Sequence, residues 1–301
     1  MITEKQQTDR TRGIGSSDVP TILGLNSWAT AHDLYLFKTG QVPGTQENEA
    51  MRIGTLLEEG VLKLAAARLG VRIVKPTSTF VGSAPFMRAN IDGMIGTAKR
   101  GSPIVEAKTT GRTDGWGEEG TDEVPEGVKA QVMFQMLCSS SDLTHIACLQ
   151  GDHGLRLKMY RVAFCSAYAG YIHERVSEFW ERVQTKTPPN CSASVDVLKQ
   201  IRRIDTPSVA IPRELFQADI DAHAVLKSAT AFADSTRAAL LTALGQSRAG
   251  HCDGFSIRVS QVETSRFDSK TFAAENPDIA AKYTVQSGYP RVTVSNKGEK
   301  Q

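Results

Sequence analysis

Apolar positions along the chain fall into alternating helical and strand periods. Asp18 to Gly40 reads as a short helix, a Gly24-Leu-Asn-Ser27 turn and a second helix over Ala31 to Lys38 that stops at Thr39-Gly40. A polar loop, Gln41 to Glu49, precedes a longer helix. Thr55 can cap it, Leu57, Val61, Leu62, Leu64, Ala65 and Leu69 supply its apolar face, and Gly70 ends it. Short β-branched runs follow at Val71 to Val74, Thr79 to Gly82, Met87 to Ile95 and Pro103 to Lys108, and their turn signals predict an antiparallel meander. A helix from about Pro125 to Cys138, strands near Thr144 to Gln150 and Leu155 to Ala163, and a helix over Ser166 to Arg182 come next. The last of these carries Tyr168, Tyr171, Ile172, Val176 and Phe179 on one side.

Lys186-Thr-Pro-Pro-Asn190 breaks this pattern, and the composition then turns Ala-rich. A long helix is expected over Pro212 to Gly245, with Pro212 at its start, followed by strands at Phe255 to Val262 and Arg291 to Val294. The expected division is therefore 1–187 and a smaller module, 188–301, of unassigned role.

With 301 residues, 40% hydrophobic and 23% charged, the chain has the balance of a globular protein with a sizeable core. Met1 to Arg12 is polar and no later run approaches the length of a membrane span, so a cytosolic, unprocessed protein is expected. The five cysteines, Cys138, Cys148, Cys165, Cys191 and Cys252, show no C-x-x-C spacing and read as reduced, mostly buried thiols. The six histidines lack metal-ligand spacing. A net charge of +2 requires any DNA surface to be a local groove, although Arg10, Arg12, Arg52, Arg88, Lys99, Arg100, Lys108, Arg112 and Lys129 gather in the first half.

The residues that carry chemistry are Asp92 and, after a gap of thirteen residues, Glu106-Ala107-Lys108 on the apolar strand Pro103-Ile-Val-Glu-Ala-Lys108. Strand alternation puts Glu106 and Lys108 on one face. An acid two positions from a lysine is usually a surface ion pair, but Asp92-Gly93 brings a second carboxylate to the neighbouring strand, where Gly93 permits a bend. Such oxygen ligands suit magnesium. The chemistry served is attack of water on a phosphodiester, with Lys108 stabilising developing charge.

Glu58 has two readings. Thr55-x-x-Glu58 matches a capping box, yet Glu58 lies in line with Val61, Leu62, Ala65 and Leu69, on the inward side, where a carboxylate should be paired or hold a cation. Glu59, one turn before Lys63, can pair with it in solvent. Gly13-x-Gly15-Ser-Ser-Asp18 is not a nucleotide loop, because no Gly-Lys-Ser/Thr follows. It reads as a helix N-terminus capped by Ser16 or Ser17, and its N–H groups would suit a DNA phosphate. Trp28 either stacks on a base or packs in the core.

Asp-x(13)-Glu-Ala-Lys resembles the PD-(D/E)XK nuclease core, and the phrases around it resemble the YqaJ-type viral recombinase and lambda exonuclease family. These are Gly13-Ile-Gly-Ser-Ser-Asp18 with Ile22-Leu-Gly24, Gly54-Thr-Leu-Leu-Glu58, Asp92-Gly93, Val105-Glu-Ala-Lys-Thr-Thr-Gly111, Trp116-Gly117, and Val124-Pro125 with Gln131-Val132. They occur in the family's order over about Arg10 to Arg161, and Arg266-Phe-Asp-Ser-Lys270 resembles part of some members' C-terminal extensions.

The resemblance implies an α/β (α+β) fold: a restriction-endonuclease-like core with a central mixed sheet flanked by helices, plus a small helical and β-hairpin C-terminal module. It implies a catalytic set of Asp92, Glu106, Lys108, Glu58 and Gln131, and a metal site of Asp92, Glu106, Glu58 and the Ala107 carbonyl holding Mg2+, with Mn2+ as a substitute. It places Ser17 at a 5′-phosphate site, beside Ser16, with Arg10 and Arg12 competing for the arginine role and Trp28 nearby. Gln135 departs from the aromatic more usual there and is assigned nothing. The implied activity is 5′-to-3′ degradation of double-stranded DNA ends, leaving a 3′ strand for a single-strand annealing protein, by a homo-oligomer, a trimer in the family, with no membrane association. A structure-specific or restriction-like endonuclease and a DNA-end-binding scaffold without turnover are the rival readings.

Overall fold

A computed structural model of the chain describes residues 10–44, 48–151, 154–201, 203, 208–285, 288 and 292–294. It contains two compact units, 1–203 and 204–301. The sequence division at 187/188 falls earlier than this one, because Val195–Gln200 is helical and Val197, Leu198 and Ile201 pack on the first unit's core.

In the first unit β1 (Ile14–Gly15) leads through a 3-10 turn, Ser16–Asp18, into α1 (Val19–Ile22), then α2 (Ala31–Lys38) and α3 (Glu49–Leu69). β2 (Ile73–Val74), β3 (Phe80–Val81), β4 (Met87–Ala89), β5 (Gly93–Ile95) and β6 (Ile104–Thr110) follow. Then come α4 (Glu126–Ser139), β7 (Leu143–Gly151), β8 (Leu155–Ala163), α5 (Ser166–Thr185) and α6 (Val195–Gln200).

The main sheet runs β2-β5-β6-β7-β8, and a small one runs β1-β4-β3. The antiparallel pairing expected of the runs from Val71 to Lys108 holds for β3–β4, β2–β5 and β5–β6, but these strands are divided between two sheets and form no single meander. β6 and β7 are parallel, which a tight hairpin cannot achieve and the α4 crossover does. The run Met87 to Ile95 also splits at Asn90–Asp92 into strands of two different sheets.

Strand alternation on β6 organises the layers. Ile104 joins the larger core with Ala130, Met133 and Phe134 of α4 and Ile172 and Val176 of α5. Val105 and Ala107 turn to the opposite face, against Val61, Leu62 and Ala65 of α3. α3 is longer than expected: Asn48, accepting from the Met51 N–H, caps it, and Thr55 instead bonds back to the Met51 carbonyl. Its buried stripe is narrow, leaving Leu57 and Leu64 exposed. Gly70 ends it in the left-handed conformation, φ 66°. On α5, Tyr171 is likewise exposed.

The glycine at Gly93 is required by packing rather than by a bend. A Cβ there would lie 2.5 Å from Ile73 Cγ2, a branched atom that cannot swing aside. Gly13 is equally constrained, since a Cβ would meet the Phe86 backbone carbonyl oxygen at 2.5 Å.

The second unit holds α7 (Arg213–Leu244), with Pro212 as its N-cap, a hairpin of β9 (Ala249–Cys252) and β10 (Phe255–Arg258), and two short helices, α8 (Ser269–Glu275) and α9 (Pro277–Tyr283). The hairpin partner of β10 is thus β9. Val292 to Val294 form no strand, and Arg291 of that expectation lies outside the described residues. Two cysteines are buried and three, Cys165, Cys191 and Cys252, are exposed, so the thiols are not mostly buried. Among the described residues no helix is long and apolar enough to cross a membrane.

Candidate active site

The antiparallel ladder between β5 and β6 ends at the pairs Gly93–Val105 and Met94–Ile104. Beyond Val105 the free edge of β6 is taken by a side chain: Asp92 Oδ2 accepts the Ala107 N–H at 2.9 Å. A strand residue points its N–H and C=O to the same edge, so the Ala107 carbonyl also faces Asp92.

Glu106, 2% exposed, projects toward α4. Its Oε1 accepts from Gln131 Nε2 at 2.7 Å and pairs with Lys108 Nζ at 2.7 Å, and its Oε2 accepts from Gln135 Nε2 at 2.8 Å. Lys108 also donates to Gln131 Oε1 at 2.9 Å. Two of the three ammonium hydrogens are thereby used, and one remains.

The electrostatics follow from this packing. Burial, then the Glu106 charge, pushes the Asp92 carboxyl up to about 8, against the pull of the Ala107 N–H. Burial opposes the Lys108 ammonium, but the charge and hydrogen bond of Glu106, with Asp92 behind them, outweigh it and hold its pKa above the ordinary lysine value. Lys108 is therefore a fixed cation, suited to stabilising negative charge rather than to accepting a proton.

Glu58 stands at the margin of this group. Its carboxylate is turned to Lys75 Nζ at 2.5 Å, which raises the lysine's pKa, and it still acts on Asp92 through its charge. Glu59 pairs with Lys63 at 2.6 Å, as the helical spacing suggests. Among the described residues no three His, Cys, Asp or Glu side chains stand close enough together to hold a metal ion as they are arranged. The reason is visible: Lys75 draws Glu58 away, and amide and ammonium donors surround Glu106. The donor set nevertheless fits a hard divalent cation. It is all oxygen, and the raised Asp92 pKa marks a carboxylate pair that a cation would relieve.

A cleft of about 550 Å³ opens beside the acids, and Asp92, Gln131, Gln135, Arg10, Ser16, Ser17 and Arg88 line it. Arg12 and Trp28 do not line it, and Trp28, 82% exposed, is not a core residue. Arg88 and Asn90 also line the cleft and are not among the site residues expected from the sequence. They precede Asp92 at steps of two, which is the signal that could have found them.

The floor of the cleft near Ser16 is built on Lys38, also missed. Its ammonium, buried, donates to Asp18 Oδ2 at 2.6 Å and to the carbonyls of Arg10 at 2.6 Å and Gly13 at 2.8 Å. Burial lowers its pKa, which Asp18 partly restores. Asp18 Oδ2 also accepts the Gly15 N–H at 2.9 Å, so neither Ser16 nor Ser17 caps the turn. The carboxylate outcompetes both hydroxyls and leaves Ser17 exposed.

Comparison with known proteins agrees with this architecture. Residues 6–142 match the YqaJ-like viral recombinase domain. That span holds every residue of the acid cluster, so the family resemblance of the motifs is shown for the YqaJ-like segment. The "Uncharacterized protein YqaJ" of Bacillus subtilis (strain 168) is 38% identical over 132 residues, which is 42% of this chain and 40% of that protein. The chain thus spans well under half the length of this curated relative.

Among solved structures, LHK-Exo in complex with dAMP superposes with a TM-score of 0.50 at 18% identity, over 62% of this chain and 94% of that one. A second structure of this alkaline exonuclease, from Laribacter hongkongensis, gives 0.49 at 17% identity, over 62% and 94%. A phage-related exonuclease from Haemophilus somnus 129PT gives 0.45 at 17%, over 58% and 96%. At such identity the likeness to LHK-Exo carries the fold: a central mixed sheet flanked by helices, as the YqaJ-like motifs imply.

Proposed function

We propose that the chain is a magnesium-dependent exodeoxyribonuclease that degrades double-stranded DNA from a 5′ end and leaves a 3′ single strand. The observation that carries this reading is a cleft lined by Asp92, Gln131, Arg10, Arg88 and Ser17, with Glu106 and Lys108 bound to its lining residue Gln131. Asp92, Glu106 and the Ala107 carbonyl would hold the cation, with Glu58 joining them on release from Lys75. A divalent ion there supplies Lewis-acid stabilisation of phosphate charge and activates water.

The chain's own residues do the rest. Gln131 clamps Glu106 and Lys108 together, which orients the carboxylate and keeps the ammonium from swinging into solvent. The remaining hydrogen of Lys108 can reach a phosphate oxygen as negative charge builds on it, the kind of prepositioned donor whose removal costs about 10²–10³ in rate. Arg10 and Arg88 supply the local positive potential that the net charge of +2 does not announce. Ser17, exposed and among the residues lining the cleft, would take a terminal 5′ phosphate. The name of the similar structure LHK-Exo favours an exonuclease over an endonuclease. A homo-oligomer enclosing the duplex, feeding a single-strand annealing protein in the cytoplasm, completes the proposal.

The test is digestion of a linear duplex with one 5′ end blocked, beside a covalently closed circle, in Mg2+, Mn2+ or EDTA. Loss should proceed from the open 5′ end, require the cation, and spare the circle. Nicking of the circle would shift the reading to an endonuclease, and absence of cleavage with either ion would end it.

A further inference from the structure

Gln135 follows Gln131 by one turn of α4 and is 1% exposed. Its amide nitrogen faces two groups, Glu106 Oε2 at 2.8 Å and the Asn90 carbonyl at 3.3 Å. Both are acceptors, which determines the amide's orientation: the NH2 must lie there. The Gln135 carbonyl oxygen is then left buried with no hydrogen-bond partner among the described residues. It belongs to a residue that lines the cleft with Asp92 and Gln131.

A buried acceptor without a donor is rare in a folded protein and calls for an explanation. Gln131 shows the contrast. Both ends of its amide are satisfied, by Glu106 and by Lys108. Two glutamines thus bracket one carboxylate, and only Gln135 keeps an open acceptor. Lys108 directs its hydrogen bonds to Glu106 and Gln131 and Asp92 accepts the Ala107 N–H, so neither of these site residues fills it. A phosphodiester brings acceptors only. The waters of a hydrated divalent cation are donors, and polarisation by the ion strengthens them.

Resting on the reading of Asp92 and Glu106 as cation ligands, we propose that Gln135 is a positioning residue of that site: its N–H fixes the second oxygen of Glu106, and its carbonyl oxygen takes a hydrogen bond from a water of the cation. Gln135 then prepares the carboxylate and senses the hydrated ion, while Gln131 ties the carboxylate to Lys108.

The experiment is Mn2+ binding to the full chain without DNA, followed by the electron paramagnetic resonance of the free ion, for wild type, Gln135→Met, Gln135→Asn and Glu106→Gln. Melting temperatures in EDTA are taken alongside. Loss of a partner behind a metal ligand typically weakens affinity about 10–100-fold, and Gln135→Met should fall in that range while folded. Gln135→Asn keeps the amide but draws it back by one methylene; it should weaken binding at least threefold, and it carries the test if the methionine variant does not fold. Unchanged Mn2+ affinity in the folded variants, with only a lower melting temperature, would mean a structural role and would overturn the proposal. Failure of wild type itself to bind Mn2+ overturns the cation-site reading and this inference together. Wild-type binding that Glu106→Gln removes and the Gln135 variants leave intact overturns this inference alone.

Discussion

Asp92→Asn should stabilise the metal-free protein at alkaline pH while removing the proposed cutting activity. The Asp92 carboxyl is pushed up to about 8 by burial and by Glu106, from an ordinary value of 3.8. Between these two values the folded chain binds a proton that the unfolded chain has released, so stability falls as pH rises through the window and levels off above it. Asparagine cannot ionise. Its side-chain oxygen still accepts the Ala107 N–H, and its NH2 faces Glu106 without repulsion. Water in the open cleft screens the carboxylate pair, so we take only the equivalent of one pH unit, about 1.4 kcal/mol. For a unit of this size that is about 3–6 °C in melting temperature. Scanning calorimetry in EDTA at pH 5 and pH 8.5 measures it: the advantage of Asp92→Asn over wild type should be small at pH 5 and reach this range at pH 8.5. Adding Mg2+ should narrow the gap, because only wild type binds the ion well. A variant less stable than wild type at pH 8.5 in EDTA would refute the reasoning.

Three other perturbations test neighbouring parts. Lys108→Met should lower single-turnover cleavage about 10²–10³-fold with duplex affinity kept within threefold, measured by quench-flow and by filter binding in Ca2+. Lys38→Met leaves Asp18 buried without its cation and should cost about 3–5 kcal/mol in urea denaturation; the double variant with Asp18→Asn should recover much of it. Arg88→Ala should weaken duplex binding and reduce the salt dependence of log K by about one, whereas an unchanged salt slope would place Arg88 off the DNA path.

Much of this was legible in the chain because strand periodicity is strict. Glu106 and Lys108 share a face on β6 as two residues two apart must, and they are found 2.7 Å apart. The helices α2, α4 and α5 were legible from their apolar stripes and from stops such as Thr39-Gly40. The rest depended on tertiary facts that local pattern does not carry. Met87 to Ile95 reads as one strand, yet its two ends pair in different sheets, and the break at Asn90–Asp92 is what aims Asp92 at the β6 edge. Lys38 reads as a solvated end of α2, because nothing local announces that two loop carbonyls and Asp18 converge on it. Gln135 reads as an ordinary polar position, although Phe134 and Met136 beside it and Gln131 one turn before hint at an inward amide. Glu58 has an inward reading from its helical position, but its pairing with Lys75 depends on where the end of β2 lies, which no spacing reports.

The most direct measurement of the central claim is single-turnover cleavage of a linear duplex by Glu106→Ala in saturating Mg2+, with binding to the same duplex measured in parallel. The account predicts that binding persists while cleavage falls at least about 10²–10³-fold. Cleavage at the wild-type rate would contradict it, and the acid cluster at the end of the β5–β6 ladder would then have no part in cutting DNA.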